Sequence, residues 1–368
     1  MDEISKIVSK YKLKRHHRDF DRVKLSSLKR KNIFLRMNFN RIIQSMIIVL
    51  QSPFICKYVA EGFLTSIRGK KNLLRSLEIA ITYKCNASCK QCSCRLSYDP
   101  IRERTQKLTL EEIKNVIDQA VELGAFQFVI NGGEPMLEEE SVFSLLEYIK
   151  KNHGRYVHLS TNGTLLDEKK IERLKNYGLD SIEMGLDSAF ADIHDNNRIK
   201  GSFEKILENI RNCRKYRIRV VLNTIFTNDK VKSDDIIYIF YLAKKLGCLL
   251  QITPCCLTGG FKNRLDMMLT PEAKLYFHWL LSKSINNRSD LYSSLTKIKC
   301  PAAREKIGLQ PYGDIVSCPL IQISYGNIRE KSLKDIQEEM LKNPYYCLKK
   351  TQGCLPSMSE EFIKKYLV

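Results

Sequence analysis

The chain has 368 residues, 43% hydrophobic and 28% charged, with 61 Lys and Arg against 41 Asp and Glu for a formal charge of +20. That balance is ordinary for a folded soluble protein, and the length is too great for one small core, suiting one large α/β domain with additions. Thirteen cysteines behind an N-terminus without a secretory pattern argue against a disulfide framework and point to metal ligands or catalytic thiols in a reducing compartment.

The positive excess is uneven. Residues 1–75 hold eighteen Lys and Arg and five Asp and Glu. A basic, helix-like extension of this kind suits an anionic membrane surface or nucleic acid, or is simply a solvated helical surface. The apolar stretch IIQSMIIVLQSPFICKYVAEGFL over 42–64 is interrupted by Gln44, Gln51, Pro53, Lys57 and Glu61. It falls short of the roughly 18 unbroken apolar residues a spanning helix needs, and a surface-lying segment fits it instead. The expected location is cytoplasmic, with contact to the inner membrane surface through residues 1–75 left open.

From there strands and helices alternate. LEIAIT (78–82 and its flank) reads as a buried strand. Thr109 starts a helix with Glu112 at capping-box spacing and Gly124 as its stop. FQFVI (126–130) is a strand, followed by a helix through SVFSLLEYIKK. YVHLS (156–160) precedes a helix from Asp167 to Tyr177, and SIEMGL (181–186) precedes SFEKILENIRNCRKY. RVVLNTIF (219–226), the helix SDDIIYIFYLAKKLG and LLQIT (249–253) complete the series. Six strands and five intervening helices predict right-handed βαβ units and a parallel sheet. The fold class is α/β, a partial (β/α)6 TIM-like barrel, because eight units are needed to close a full one. Functional loops then follow the C-terminal ends of the strands.

After Pro254 the pattern changes. Helix is expected around LTPEAKLYFHWLLSKSI, and Cys300 opens a cysteine-bearing segment with the turn signals QPYGD and ISYGN. The expected divisions are a basic N-terminal extension (1–76), a core (77–260), a helical linker (261–299) and a small module with tail (300–368).

Cys85, Cys89 and Cys92 form C-x3-C-x2-C just past the first strand. A tetrahedral zinc site usually pairs C-x2-C with a second close pair of Cys or His. Three thiolates on one loop instead suit three corners of a cubic iron–sulfur cluster, leaving the fourth iron open to a ligand. Gly132-Gly133-Glu134-Pro135 follows the second strand, where two glycines allow close backbone approach, Glu134 offers an anion for an ammonium group and Pro135 stiffens the turn. Ser160-Thr161-Asn162-Gly163 ends the third strand, and HDNNR, with Arg198, follows the fourth.

In this order the motifs resemble the radical S-adenosylmethionine (SAM) superfamily over about residues 77–260. The resemblance implies a [4Fe–4S] cluster on Cys85, Cys89 and Cys92 with SAM on the open iron. It implies SAM contacts from Gly132, Gly133, Glu134 and Pro135, from Thr161 and Asn162, and from Arg198 to the SAM carboxylate. The implied chemistry is one-electron cleavage of SAM to methionine and a 5′-deoxyadenosyl radical that abstracts hydrogen from substrate, fed by a donor such as flavodoxin or ferredoxin. Two positions depart from the family pattern. Gln91 stands where an aromatic residue often precedes the third cysteine, and Gly185 stands where many relatives place a serine that touches SAM.

Cys300-x12-Gly313-x4-Cys318 resembles the start of the SPASM or shorter twitch module, with GDIVSCPL as its β-hairpin and YGNIREKSLKDIQ leading to a helix. Cys347 and Cys354 are the candidates to complete four ligands for one auxiliary [4Fe–4S] cluster; zinc, or no metal, is the alternative. Cys213 and Cys248 fit a core, while Cys94, Cys255 and Cys256 fit packing, proton or hydrogen donation, or an extra ligand. Asp99, Glu183 and Asp187 are possible polar substrate contacts. The expected function is radical modification of a peptide or protein. The alternatives are a membrane-associated lipid or lipid-linked substrate, and a nucleic-acid-binding iron–sulfur or zinc protein without SAM chemistry.

Overall fold

The computed structural model describes residues 19–21, 27–51, 74–94, 96–290, 300–346 and 353–367. Helix α1 (Ser27–Gln51) comes first, followed by strand β1 (Ser76–Ala80) and the short helix α2 (Pro100–Thr105). Then α3 (Leu110–Glu122), β2 (Gln127–Asn131), α4 (Glu139–Tyr148), β3 (Tyr156–Thr161), α5 (Glu168–Asn176) and β4 (Ser181–Gly185) alternate. They are followed by α6 (Ala191–Asn197), α7 (Ser202–Lys215), β5 (Arg219–Phe226), α8 (Asp234–Lys245) and β6 (Leu249–Pro254). The capping box is formed as expected: Glu112 N–H donates to Thr109 Oγ1, and the Glu112 carboxylate accepts from the Thr109 backbone.

β1 to β6 pair in parallel and in sequence order, as βαβ crossovers require. Side chains alternate between two faces. Leu77 and Ile79, Phe128 and Ile130, and Val157 and Leu159 belong to the apolar core. The intervening residues Glu78, Asn131, His158 and Glu183 face the interior of the curled sheet instead. A partial barrel with a polar lumen results.

The sheet extends beyond the six expected strands at both edges. β7 (Asn287–Arg288) pairs with β6. β8 (Lys306–Leu309) pairs in parallel with β1, and β9 (Asp314–Cys318) and β10 (Ile321–Asn327) continue it antiparallel, giving ten strands in one sheet among the described residues. The segment after Cys300 thus covers the open backbone edge of β1, which would otherwise be a template for association. GDIVSCPL forms β9 and the turn into β10, as its hairpin resemblance implied.

The helix expected around LTPEAKLYFHWLLSKSI is formed, and residues 291–299 of the linker lie outside the described residues. Helix α9 spans Pro271–Ser282, capped by Thr270, whose hydroxyl accepts from Ala273 N–H. Upstream, Gly259 and Asn263 adopt positive φ, which breaks a helix into short turns. α1 lies against α9: Asn40 donates to the carbonyls of Leu281, Ser282 and Ser284, and Gln44 to that of Asn287 at 2.8 Å. Helix α10 (Leu333–Leu341) packs near the hairpin, where Gln337 Nε2 donates to Ala303 O at 3.0 Å.

Candidate functional site

A cavity of about 400 Å³ runs through the lumen, and Cys85, Cys89 and Cys92 line it on the loop beyond the C-terminal end of β1. Asn86 on this loop ties it to the turn after β3, donating to Thr164 Oγ1 at 2.9 Å and accepting from Asn162 Nδ2 at 2.7 Å. A second prop comes from the loop after β6, where Gly260 N–H donates to Cys92 O at 2.9 Å. A Cβ on Gly260 would sit 1.9 Å from Lys90 O, and one on Gly259 2.2 Å from Cys92 O, so this prop requires glycine. The residue pair was missed from sequence; the signal was two adjacent glycines in the loop after the sixth strand. Cys85 is exposed at the cavity rim, while Cys89 and Cys92 are half-buried. Burial raises Cys89, with Arg198 opposing.

The Gly132-Gly133 turn presses against the strand that leads into the cysteine loop. Gly133 N–H donates to Thr82 O at 2.7 Å and Glu134 N–H to Lys84 O at 2.8 Å. A Cβ on Gly132 would meet Thr82 O at 2.3 Å at a φ of 143°, and one on Gly133 would meet Lys84 O at 2.2 Å. Both glycines line the cavity, as do Thr161, Asn162 and Arg198.

Glu134 and Pro135 do not line it. Both are buried behind the wall. The Glu134 carboxylate accepts from Met136 N–H at 3.0 Å, Thr161 Oγ1 at 2.6 Å and Asn162 N–H at 2.7 Å. Burial raises its pKa despite these donors. In the structure this carboxylate staples the turn after β2 to the turn after β3.

Arg198 sits at the end of α6 and forms a fork on Asp187, through Nε at 2.8 Å and Nη2 at 2.9 Å. Burial would raise the Asp187 carboxyl, but Arg198, with His194 and Lys230, outweighs it and holds the group below its ordinary range. Asp187 N–H donates to His194 Nδ1 at 3.1 Å, and burial lowers that imidazole to about 4, so it is neutral behind the pair. Both departures from the family pattern meet here. Gln91 Nε2 donates to Asp187 Oδ2. The Arg198 guanidinium fills the space over Gly185, where a Cβ would lie 2.2 Å from Nη2. Cys89 and Cys92 are the titratable groups nearest Arg198 after Asp187.

Deeper in the lumen the groups are polar and paired. Asn131 Nδ2 donates to Glu78 at 3.1 Å, and Lys306 lies 2.5 Å from Glu78 and 3.0 Å from Asp290. Glu183 accepts from Asn223 Nδ2 at 2.9 Å and lies 3.7 Å from His158 Nε2. It is held below its ordinary pKa, against burial, by His158, Asn223 and Arg288. Of the other carboxylates singled out, Asp99 caps α2 by accepting from Ile101 and Arg102 N–H.

A second set of thiols gathers where the loop after β6 meets the C-terminal segment. Cys256, Cys300, Cys318 and Cys354 are all buried. Cys256 Sγ is 3.0 Å from Ser357 Oγ, which is 3.7 Å from Cys354 Sγ. The hydrogen bond to Cys256, and then burial, raises the Cys354 thiol. Burial first, with Cys354 next, pushes Cys300 up to about 12. Burial also raises Cys318, with Cys300 adding to it and Lys306 opposing. Cys347, expected as a fourth member, lies outside the described residues, as does Cys56. Cys256 was assigned to packing, donation or extra ligation, and the structure brings it to Cys354. Among the described residues no three His, Cys, Asp or Glu groups could hold a single metal ion. A four-iron cluster spreads its thiolates wider than one ion does, and an all-cysteine donor set suits it.

Cys213 and Cys248 are buried in the core, as their patterns predicted. Cys255 is buried with its N–H on Phe226 O at 2.9 Å. Cys94 is half-buried beside Cys92, which is the first cause of its raised pKa, with burial second.

Residues 79–240 match the family model of the radical SAM superfamily. The AdoMet-dependent heme synthase of Methanosarcina barkeri is 26% identical over 298 residues, 73% of this chain and 83% of that one. The mycofactocin maturase MftC of Mycolicibacterium smegmatis is 26% identical over 256 residues, 65% of this chain and 62% of that one. Among solved structures, Streptococcus suis SuiB bound to its precursor peptide SuiA shares the fold with a TM-score of 0.59 at 15% identity, over 75% of this chain and 66% of that one. The matched region therefore spans less than two thirds of MftC and of SuiB. The family match sets aside the reading as a nucleic-acid-binding protein without SAM chemistry.

Proposed function

Since this chain belongs to the radical SAM superfamily, we propose that it holds a [4Fe–4S] cluster on Cys85, Cys89 and Cys92 with SAM at the open iron, and modifies a peptide or protein by hydrogen abstraction. Together these groups supply a reductively generated radical, with an electron delivered by a small donor protein such as a flavodoxin or ferredoxin. The chain's own part is placement. The glycine turn after β2 offers backbone to the SAM amino end, Arg198 offers cationic charge beside Cys89 and Cys92, and Glu134 fixes both turns that border the ligand. One auxiliary [4Fe–4S] cluster is held by Cys256, Cys300, Cys318 and Cys354, with Cys256 taking the place first given to Cys347.

The observation that carries this reading is a shared wall: one cavity is lined by Cys85, Cys89 and Cys92 and also by Cys256 and Cys318. A substrate in that lumen lies between the two thiol sets. A peptide fits the polar lining, and the maturase name of MftC and the peptide bound to SuiB support that class.

The test uses the anaerobically reconstituted chain with SAM, a reductant and peptides encoded by short genes beside its own, prepared with deuterium. Deuterium in the 5′-deoxyadenosine and a mass change in one peptide are expected. Uncoupled SAM cleavage with no deuterium transfer from any of those peptides, alongside transfer from a small metabolite, would overturn the peptide assignment and leave the radical chemistry standing.

A further inference from the structure

Helix α1 has two faces with different fates. Ile33, Met37 and Asn40 are buried toward α9 and the turn before β7. On the opposite side Leu35, Phe39, Ile42 and Met46 recur at i, i+4, i+7 and i+11, the spacing of a single helix face. They are 67%, 62%, 52% and 57% exposed. Four large apolar side chains in one stripe are not the scattered singles of an ordinary surface. The stripe is also not needed to hold the helix, since Asn40 and Gln44 and the buried face already do so.

The surroundings are cationic. Lys31 and Arg36, at the stripe's border, are both exposed. The stripe lies within residues 1–75, which carry eighteen Lys and Arg against five Asp and Glu. Among the described residues no helix is long and apolar enough to cross a membrane. An apolar stripe flanked by Lys and Arg, on a helix too polar to span, matches a helix that lies in the lipid interface with its apolar residues among the acyl chains and its cations on anionic headgroups.

We propose that the exposed stripe of α1, Leu35, Phe39, Ile42 and Met46, docks the enzyme on the surface of an anionic lipid bilayer. Because α1 is bonded to the end of α9 and to Asn287 at the start of β7, the docked helix fixes the barrel relative to the membrane. The inference stands whether the substrate is a peptide, a protein or a lipid-linked molecule.

The test is cosedimentation of the full reconstituted chain with vesicles of phosphatidylcholine mixed with phosphatidylserine, and of phosphatidylcholine alone. Binding to the mixed vesicles is expected, weakening as salt is raised. The Phe39→Ser/Ile42→Ser chain is expected to bind at least about tenfold more weakly. Circular dichroism, melting temperature and iron content of that variant should match the parent, since both side chains lie outside the core. No vesicle binding by the parent, or equal binding by the variant, would overturn the proposal. So would a parent that ignores vesicles and self-associates through the stripe, with the variant monomeric.

Discussion

The guanidinium of Arg198 occupies the volume that any side chain on Gly185 would need, with Nη2 2.2 Å from the position of a Cβ there. The glycine at the end of β4 and the arginine after α6 are therefore one feature. A Gly185→Ser chain must expel Arg198 from its place beside Cys89 and Cys92. SAM affinity by equilibrium dialysis is expected to fall roughly tenfold, the worth of one charge-assisted contact. Arg198→Lys should lose a similar amount, because an ammonium cannot form the fork on Asp187. Unchanged affinity in both variants would remove Arg198 from the SAM site.

Asp187 gives a pH signature. Its carboxyl is depressed in the fold, so the stability it contributes is present above the ordinary Asp range near about 3.9 and is lost as pH falls through the lowered folded value. Asp187→Asn should be less stable than the parent at neutral pH by about 3–5 kcal/mol, since the buried charge of Arg198 is left uncompensated. Urea unfolding at neutral pH measures that gap. Repeated below about pH 4, it should show the gap narrowing. A gap that widens on acidification would contradict the pairing.

Lys306 joins β8 to β1. Its ammonium is buried and raised in pKa despite burial, by Asp290 and Glu78. Lys306→Met leaves both carboxylates without their cation and should cost about 3–5 kcal/mol in urea unfolding. Adding Glu78→Gln should recover part of that loss. If the single change is neutral, the C-terminal segment does not depend on this contact for its seat.

The second thiol set is open to an iron count. Two [4Fe–4S] clusters give about eight iron per chain, and losing one leaves about four. Cys256→Ala is expected near four, and Cys347→Ala near eight. The opposite ranking would return Cys347 to the ligand set and Cys256 to packing. Replacing Cys85, Cys89 and Cys92 together should also leave about four, held by the auxiliary set alone.

Much of the barrel was legible because its signals are local. Strands β2 to β6 are short runs of alternating or continuous apolar residues bounded by turn residues, and the helices carry caps such as Thr109 with Glu112. The edges were not. β7 has two residues and β8 four, too short for a period to show, and both exist because β6 and β1 offer them a backbone edge. At the site, Cys85, Cys89, Cys92 and the glycine turn were readable from spacing. The hydrogen bonds of Glu134 were not, because Thr161 and Asn162 reach it from 27 and 28 residues away in sequence. Likewise Cys256 is 101 residues from Ser357, and only the folded chain brings them together.

The most direct measurement is formation of 5′-deoxyadenosine from SAM by the anaerobically reconstituted chain under reduction. The expected result is 5′-deoxyadenosine and methionine in equal amounts, and none from a Cys89→Ala chain whose auxiliary cluster is intact. A parent chain with its full complement of iron and sulfide that leaves SAM uncleaved, or a Cys89→Ala chain that cleaves it at the parental rate, would contradict the assignment of the radical site.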